Sequence, residues 1–196
     1  MTQSKHDSYQ PLQMLWPEHR LHTPPIPQVP SGYLLRLYQP GDELGFFHLM
    51  ALVGWSDWNA EKLEDRIDRI PPQGWVMAVH EATGEIVATA IGLRDRPERK
   101  PFDGLLGWVA AHPAHAGHGL GMAVSAAATA GLIAAGCRNM HLYTERWRLA
   151  ALKIYLRLGY VPFLNLPEMA ERWRNICEQL AWPYTPDAWP TNSFSE

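Results

Sequence analysis

The chain runs to 196 residues, 46% of them hydrophobic and 19% charged, with a formal net charge of −3. That is enough apolar material for one full core, and the slightly acidic balance excludes the basic surface of a nucleic-acid partner. Cys137 and Cys177 lie far apart and follow no disulfide or zinc framework, and no basic-then-apolar leader opens the chain, so a reducing, cytoplasmic setting is expected.

Residues 1–30 carry six prolines and little periodicity, and read as an extended arm ahead of a domain at 31–183. Residues 33–38 read as a strand turned by Pro40-Gly41-Asp42, with Asp42 capping a helix to about Val53. Leu63, Ile67 and Ile70 fall on one face of a second helix, which Pro71-Pro72 end. Trp55 and Trp58 precede it as core anchors or as part of a ligand wall. A hairpin follows at 75–80 and 85–93, then a charged turn and an apolar strand at 105–111 that suits the centre of a sheet. Helix 122–135 stops at Gly136, strand 140–144 follows, and helix 147–158 ends on Gly159. This order implies a parallel strand pair with a crossover. Met169, Trp173, Ile176 and Leu180 mark an amphipathic helix docked on the domain or on a second copy, the latter making a homodimer. Residues 184–196 form a tail. Residues 104–137 carry no Asp, Glu, Lys or Arg, yet their histidines, proline and many Ala and Gly residues argue against a membrane span.

The chemistry concentrates in residues 107–163. A strand ends in His112-Pro113, and Gly117-His118-Gly119-Leu120-Gly121 opens directly into an Ala-rich helix. Such a turn leaves main-chain N–H groups unpaired at a helix N-terminus, a seat for phosphate. It is not G-x-G-x-x-G, since position 122 is Met, and no Lys-Ser or Lys-Thr makes a Walker loop. A pyrophosphate turn built from main-chain donors is one reading; a turn chosen for tight packing is the other.

Downstream, Arg148-Leu-Ala-Ala151-Leu-Lys-Ile-Tyr155-Leu-Arg-Leu-Gly159-Tyr160 resembles the N-x-x-A-x-x-x-Y-x-x-x-G-F signature of the GNAT superfamily of acyl-CoA N-acyltransferases. The upstream V-x-x-x-P-x-x-x-G-x-G-x-G stretch is similar to that family's pyrophosphate motif. The resemblance implies an α/β fold: a mixed, mostly antiparallel sheet with flanking helices and a splayed parallel strand pair. It implies acetyl-CoA as acyl donor and a primary amine as acceptor. Ala116, Gly117, His118, Gly119, Leu120 and Gly121 would hold the pyrophosphate, with Arg148 and Ala151 also on the cofactor. Main-chain groups of Val109, Ala110 and Ala111 would pair with the pantetheine amides and the thioester oxygen. Tyr155 would protonate the departing thiolate.

Two positions depart from the family pattern. Ala116 stands where Arg or Gln is usual, which weakens cofactor affinity or shifts phosphate contact to neighbours such as His115 and His118. Arg148 stands where Asn is usual. The strand before the turn carries no carboxylate, so Glu145, His112 and the more remote Asp103 are the base candidates, and an amine that arrives neutral or loses its proton through water would need none of them. His112, His115 and His118 straddle a proline and a glycine turn with no fourth ligand near, so no metal is expected. A catalytically silent acyl-CoA-binding module and a partner-binding protein are the alternatives. The acidic residues Asp57, Glu61, Glu64, Asp65 and Asp68 fit a cationic acceptor or a solvated helix face equally.

Overall fold

The computed structural model describes residues 10–191; the outer ends of the expected arm (1–9) and tail (192–196) lie outside them. The strands are β1 (Leu12–Leu15), β2 (Tyr33–Leu37), β3 (Trp75–His80), β4 (Ile86–Arg94), β5 (Gly104–Ala111), β6 (Met140–Thr144) and β7 (Val161–Pro162). They form one sheet in the order β2-β3-β4-β5-β6-β1-β7. Every strand pair is antiparallel except β5–β6. The helices are α1 (Glu43–Leu52), α2 (Ala60–Ile67), α3 (Leu120–Ala134), α4 (Leu149–Leu158) and α5 (Met169–Leu180).

Strand alternation divides the core between the two faces of the sheet. On β3, Trp75 and Met77 pack with Phe46, Leu49 and Met50 of α1. Val76 and Ala78 join the other cluster, with α3 and α4. The Ala- and Gly-rich character of α3 follows from its close approach to the sheet. A Cβ at Gly92 of β4 would lie 2.7 Å from the Leu132 side chain, and one at Gly131 would overlap the Gln73 carbonyl. Among the described residues no helix is long and apolar enough to cross a membrane. Helix α5 buries Met169, Trp173 and Ile176 and contacts α4, so its apolar face is spent on its own domain.

The expected arm is part of the domain. β1 inserts between β6 and β7, with Leu12 opposite Thr144 and Leu15 opposite His141, and Leu12, Met14 and Trp16 are buried. A strand of four residues between two prolines, with partners more than a hundred residues onward, leaves no local signal. Further along, Pro24 and Pro27 line a cavity of about 520 Å³ with Leu35, Leu37, Ala130 and Ala134. The tail also closes onto the domain. Trp189 is buried, its ring centroid 6.1 Å from Trp173 and 5.3 Å from Tyr184.

Two smaller expectations change. Asp42 flanks α1 but does not cap it: its oxygens accept from Arg36 at 2.6 and 2.8 Å and from the Gln39 N–H at 2.8 Å. A bidentate guanidinium outcompetes a single cap bond. On the second helix only Leu63 is fully buried and Ile67 is exposed, while Ile70, just beyond its end, is half-buried.

Candidate active site

β5 pairs with β6 only from Gly104↔Met140 to Leu106↔Leu142. Beyond Leu106, β5 stays with β4, while β6 stays with β1 as far as Thr144, so the parallel pair splays into a cleft. A bulge marks the same place. Thr89 opposes Ala110 and Ile91 opposes Gly107, which leaves Trp108 and Val109 opposite Ala90. Trp108 takes φ 47, a left-handed conformation that a bulky side chain adopts only when its surroundings impose it. Main-chain groups of Val109, Ala110 and Ala111 that face away from β4 therefore border the cleft. Val109 and Ala111 are partly exposed there, and Ala110 between them is buried in the core.

The glycine turn stands at the end of β5. Residues 113–115 form one 3-10 turn, and Gly117 and Gly119 take φ 83 and φ 80, both left-handed. Gly119 is the residue from which α3 departs, and the first helical bond runs from the Ala123 N–H to the Gly119 carbonyl. Among the described residues, the N–H groups of Gly117, His118, Gly119, Leu120, Gly121 and Met122 have no acceptor. Ala116, Gly117, His118 and Gly119 are exposed and Leu120 is buried beneath them. That is an open row of donors at the positive end of a helix. The turn abuts α4: a Cβ at Gly121 would lie 3.0 Å from the Ile154 side chain.

Helix α4 carries Tyr155 and Ala151 and starts at Arg148. Tyr155 is buried beside Leu152 and Leu156, with its ring 6.3 Å from Tyr160. Burial pushes the Tyr155 phenol up to about 12, and Arg148 offsets part of that rise. The Arg148 guanidinium lies 4.6 Å from the Trp55 ring centre, a cation–π contact that joins α4 to the loop between α1 and α2. Trp58 is buried, edge-on to Trp108 at 5.4 Å, and Arg66 lies over both rings at 5.6 and 5.5 Å. The bulged residue of β5 thus meets the α1–α2 segment in a wall of indole and guanidinium groups, which links Trp55 and Trp58 to the cleft. The positive φ of Trp108 has no sequence signal.

The three base candidates separate by their partners. Asp103 accepts from the Arg138 and Asn139 N–H groups at 2.9 to 3.1 Å and is spent on holding that turn. His112 accepts the Ala114 N–H on Nδ1 at 3.0 Å, so its neutral ring carries the proton on Nε2 and offers no free lone pair. Glu145 follows β6 directly; its Oε2 is buried and has no hydrogen-bond partner among the described residues. Burial raises its pKa, partly offset by Arg148. The acidic residues in and just before the second helix are partly neutralised within the fold, Asp57 by Lys62 and Asp65 by Arg66 and Arg96. Among the described residues no group of three or more His, Cys, Asp or Glu is arranged to hold a metal ion.

Residues 35–160 match the family model described as the acetyltransferase (GNAT) family. A mycothiol acetyltransferase of Thermobispora bispora is 30% identical over 162 residues, 74% of this chain and 53% of that protein. One from Actinosynnema mirum is 28% identical over 147 residues, 70% of this chain and 47% of that protein. The chain spans about half the length of the curated relatives it matches. Among solved structures, a GCN5-related N-acetyltransferase from Sphaerobacter thermophilus superposes with a TM-score of 0.58 at 23% identity, covering 79% of this chain and 50% of that one. The match takes in the bulged strand, the glycine turn and the helix of Tyr155, and with it the chain belongs to the GNAT family of acetyltransferases.

Proposed function

We propose that the chain moves an acetyl group from acetyl-CoA to a primary amine by direct attack. One observation carries this reading: the cleft opened by the β5–β6 splay has the unpaired donor row of residues 117–122 at one side and Tyr155 on the adjoining helix. The donor row and the α3 dipole suit the pyrophosphate, and the freed backbone of Val109–Ala111 suits the pantetheine amides and the thioester oxygen.

The amine nitrogen attacks the thioester carbonyl; a C–N bond forms and the C–S bond breaks. Glu145, with its raised pKa and unpartnered oxygen, takes the proton that the amine must lose. Tyr155, at about 12, holds its proton throughout neutral pH and gives it to sulfur. Full transfer to a thiolate of ordinary pKa about 8.5 is uphill by roughly 5 kcal/mol. Donation therefore serves sulfur as its charge builds, Arg148 narrows the gap, and the phenolate recovers a proton from water. The wall of Trp55, Trp58, Trp108 and Arg66 would border the acceptor. The names of the curated relatives support acetyl transfer.

The test is acetyl-CoA consumption, followed as free thiol, against a panel of primary amines with the acetylated product identified by mass. Amine-dependent thiol release with N-acetyl product is expected. Tight acetyl-CoA binding with no product from any amine would favour the silent binding module instead.

A further inference from the structure

The glycine turn carries no fixed cation: residues 104–137 contain neither Lys nor Arg. The fold gathers imidazoles there instead. The register of β2 on β3 sets Tyr33 opposite His80, the last residue of β3. The His115 ring centre lies 4.9 Å from His80, 5.4 Å from His112 and 6.5 Å from His118. Tyr33 touches His80, His115 and His118, and its hydroxyl hydrogen-bonds His115 Nδ1 at 2.9 Å. Glu85 is the carboxylate that acts on His115 across this cluster.

The hydrogen bonds say which atoms can gain a proton. His112 Nδ1 accepts the Ala114 N–H, so a second proton on that ring breaks a bond. His118 Nδ1 lies 3.2 Å from the carbonyls of His115 and Ala116 and must carry its proton there, which leaves Nε2 as a lone pair. His118 is exposed between the two left-handed glycines, so protonating Nε2 costs none of these bonds. In the free protein, burial holds His115 below its ordinary value, and His80, His112 and His118 add to that. An anion at the donor row offsets that mutual repulsion.

We infer that His115 and His118, set in the cluster with His80 and His112, are a proton-taking part of the phosphate seat, gaining protons when the phosphates of acyl-CoA dock and tightening binding as pH falls. This rests on the acyl-CoA reading above. The complex holds more protons than the free protein, so affinity rises toward acid through the histidine range.

The probe is dephospho-CoA, because the 3′-phosphate of CoA itself titrates near pH 6 and would mask the effect. Calorimetric binding at about pH 6.5 in buffers of different ionisation enthalpy reads the protons exchanged. Net uptake is expected, with dissociation constants rising roughly tenfold from about pH 6 to 8 for a one-unit pKa rise. The uptake falls in His118→Asn and further in the His115→Asn, His118→Asn pair. Binding without uptake, equal in strength at both pH values, overturns the inference alone, as does uptake that survives in the double variant. Absence of binding by CoA and dephospho-CoA at either pH overturns the acyl-CoA reading and this inference with it. The wild-type uptake needs no variant to fold.

Discussion

A buried chain of polar side chains fastens β1 to the sheet, and cutting it at His141 has a calculable consequence. Gln13 Nε2 donates to His141 Nδ1 at 2.8 Å, and His141 Nε2 donates to Asp95 Oδ2 at 2.7 Å. The His141 side chain is fully buried, and Phe102 stacks on it at 4.3 Å. This order of donors fixes a neutral imidazole, in line with burial lowering its pKa despite Asp95. His141→Leu leaves the Gln13 amide and one Asp95 oxygen buried without that partner, at about 1–3 kcal/mol each. Asp95 keeps the Arg96 N–H at 2.8 Å and Arg99 at 3.9 Å, so the total falls near 3 kcal/mol, or about 6–12 °C in Tm for a domain of this size. The wild type adds a pH signature. Below the ordinary value of 6.5 the unfolded His141 binds a proton that the folded one resists, so its contribution to stability is full above 6.5 and is lost as pH falls toward the depressed folded value. Urea unfolding of both proteins at about pH 8 and 5.5 measures each effect. A His141→Leu protein within about 0.5 kcal/mol of wild type at the higher pH would refute the reasoning.

Glu145→Gln should lower kcat roughly a hundredfold and remove the acid limb of the pH–rate profile, which in wild type lies above the ordinary 4.5 because burial raises this carboxyl; an unchanged profile would clear Glu145 of the base role. Gly119→Ala puts a Cβ on a residue at φ 80, a strain of about 1–2 kcal/mol, and should weaken acetyl-CoA binding roughly tenfold by calorimetry; full affinity would mean the turn is not the seat. Trp173→Ala empties a fully buried site in the main core and should cost about 3–5 kcal/mol by urea unfolding, whereas a loss under 1 kcal/mol would show that α5 is peripheral.

Elements with a local cause were legible in the sequence. Gly117, Gly119, Gly136 and Gly159 all take positive φ, where glycine alone is at ease, and they set the helix boundaries close to where they were read. β6 runs over the residues expected, and the turn and Tyr155 belong to adjoining helices because two motifs fix their spacing. What escaped depends on distant partners. β1 is four residues long and gains its identity from β6, 128 positions on. Trp108 is bent by the bulge that β4 imposes, and His80 reaches the other histidines through the β3–β4 and β4–β5 pairings. Asp42 looked like a cap until Arg36 offered it two stronger bonds.

Steady-state acetyl transfer by Tyr155→Phe beside wild type, with acetyl-CoA affinity measured on the same samples, tests the central claim most directly. The account predicts that kcat falls about 10²- to 10⁴-fold while the acetyl-CoA Kd stays within about twofold, because only the proton-donating hydroxyl is removed. Wild-type kcat in the Phe variant would contradict it, and would leave Tyr155 as a core aromatic.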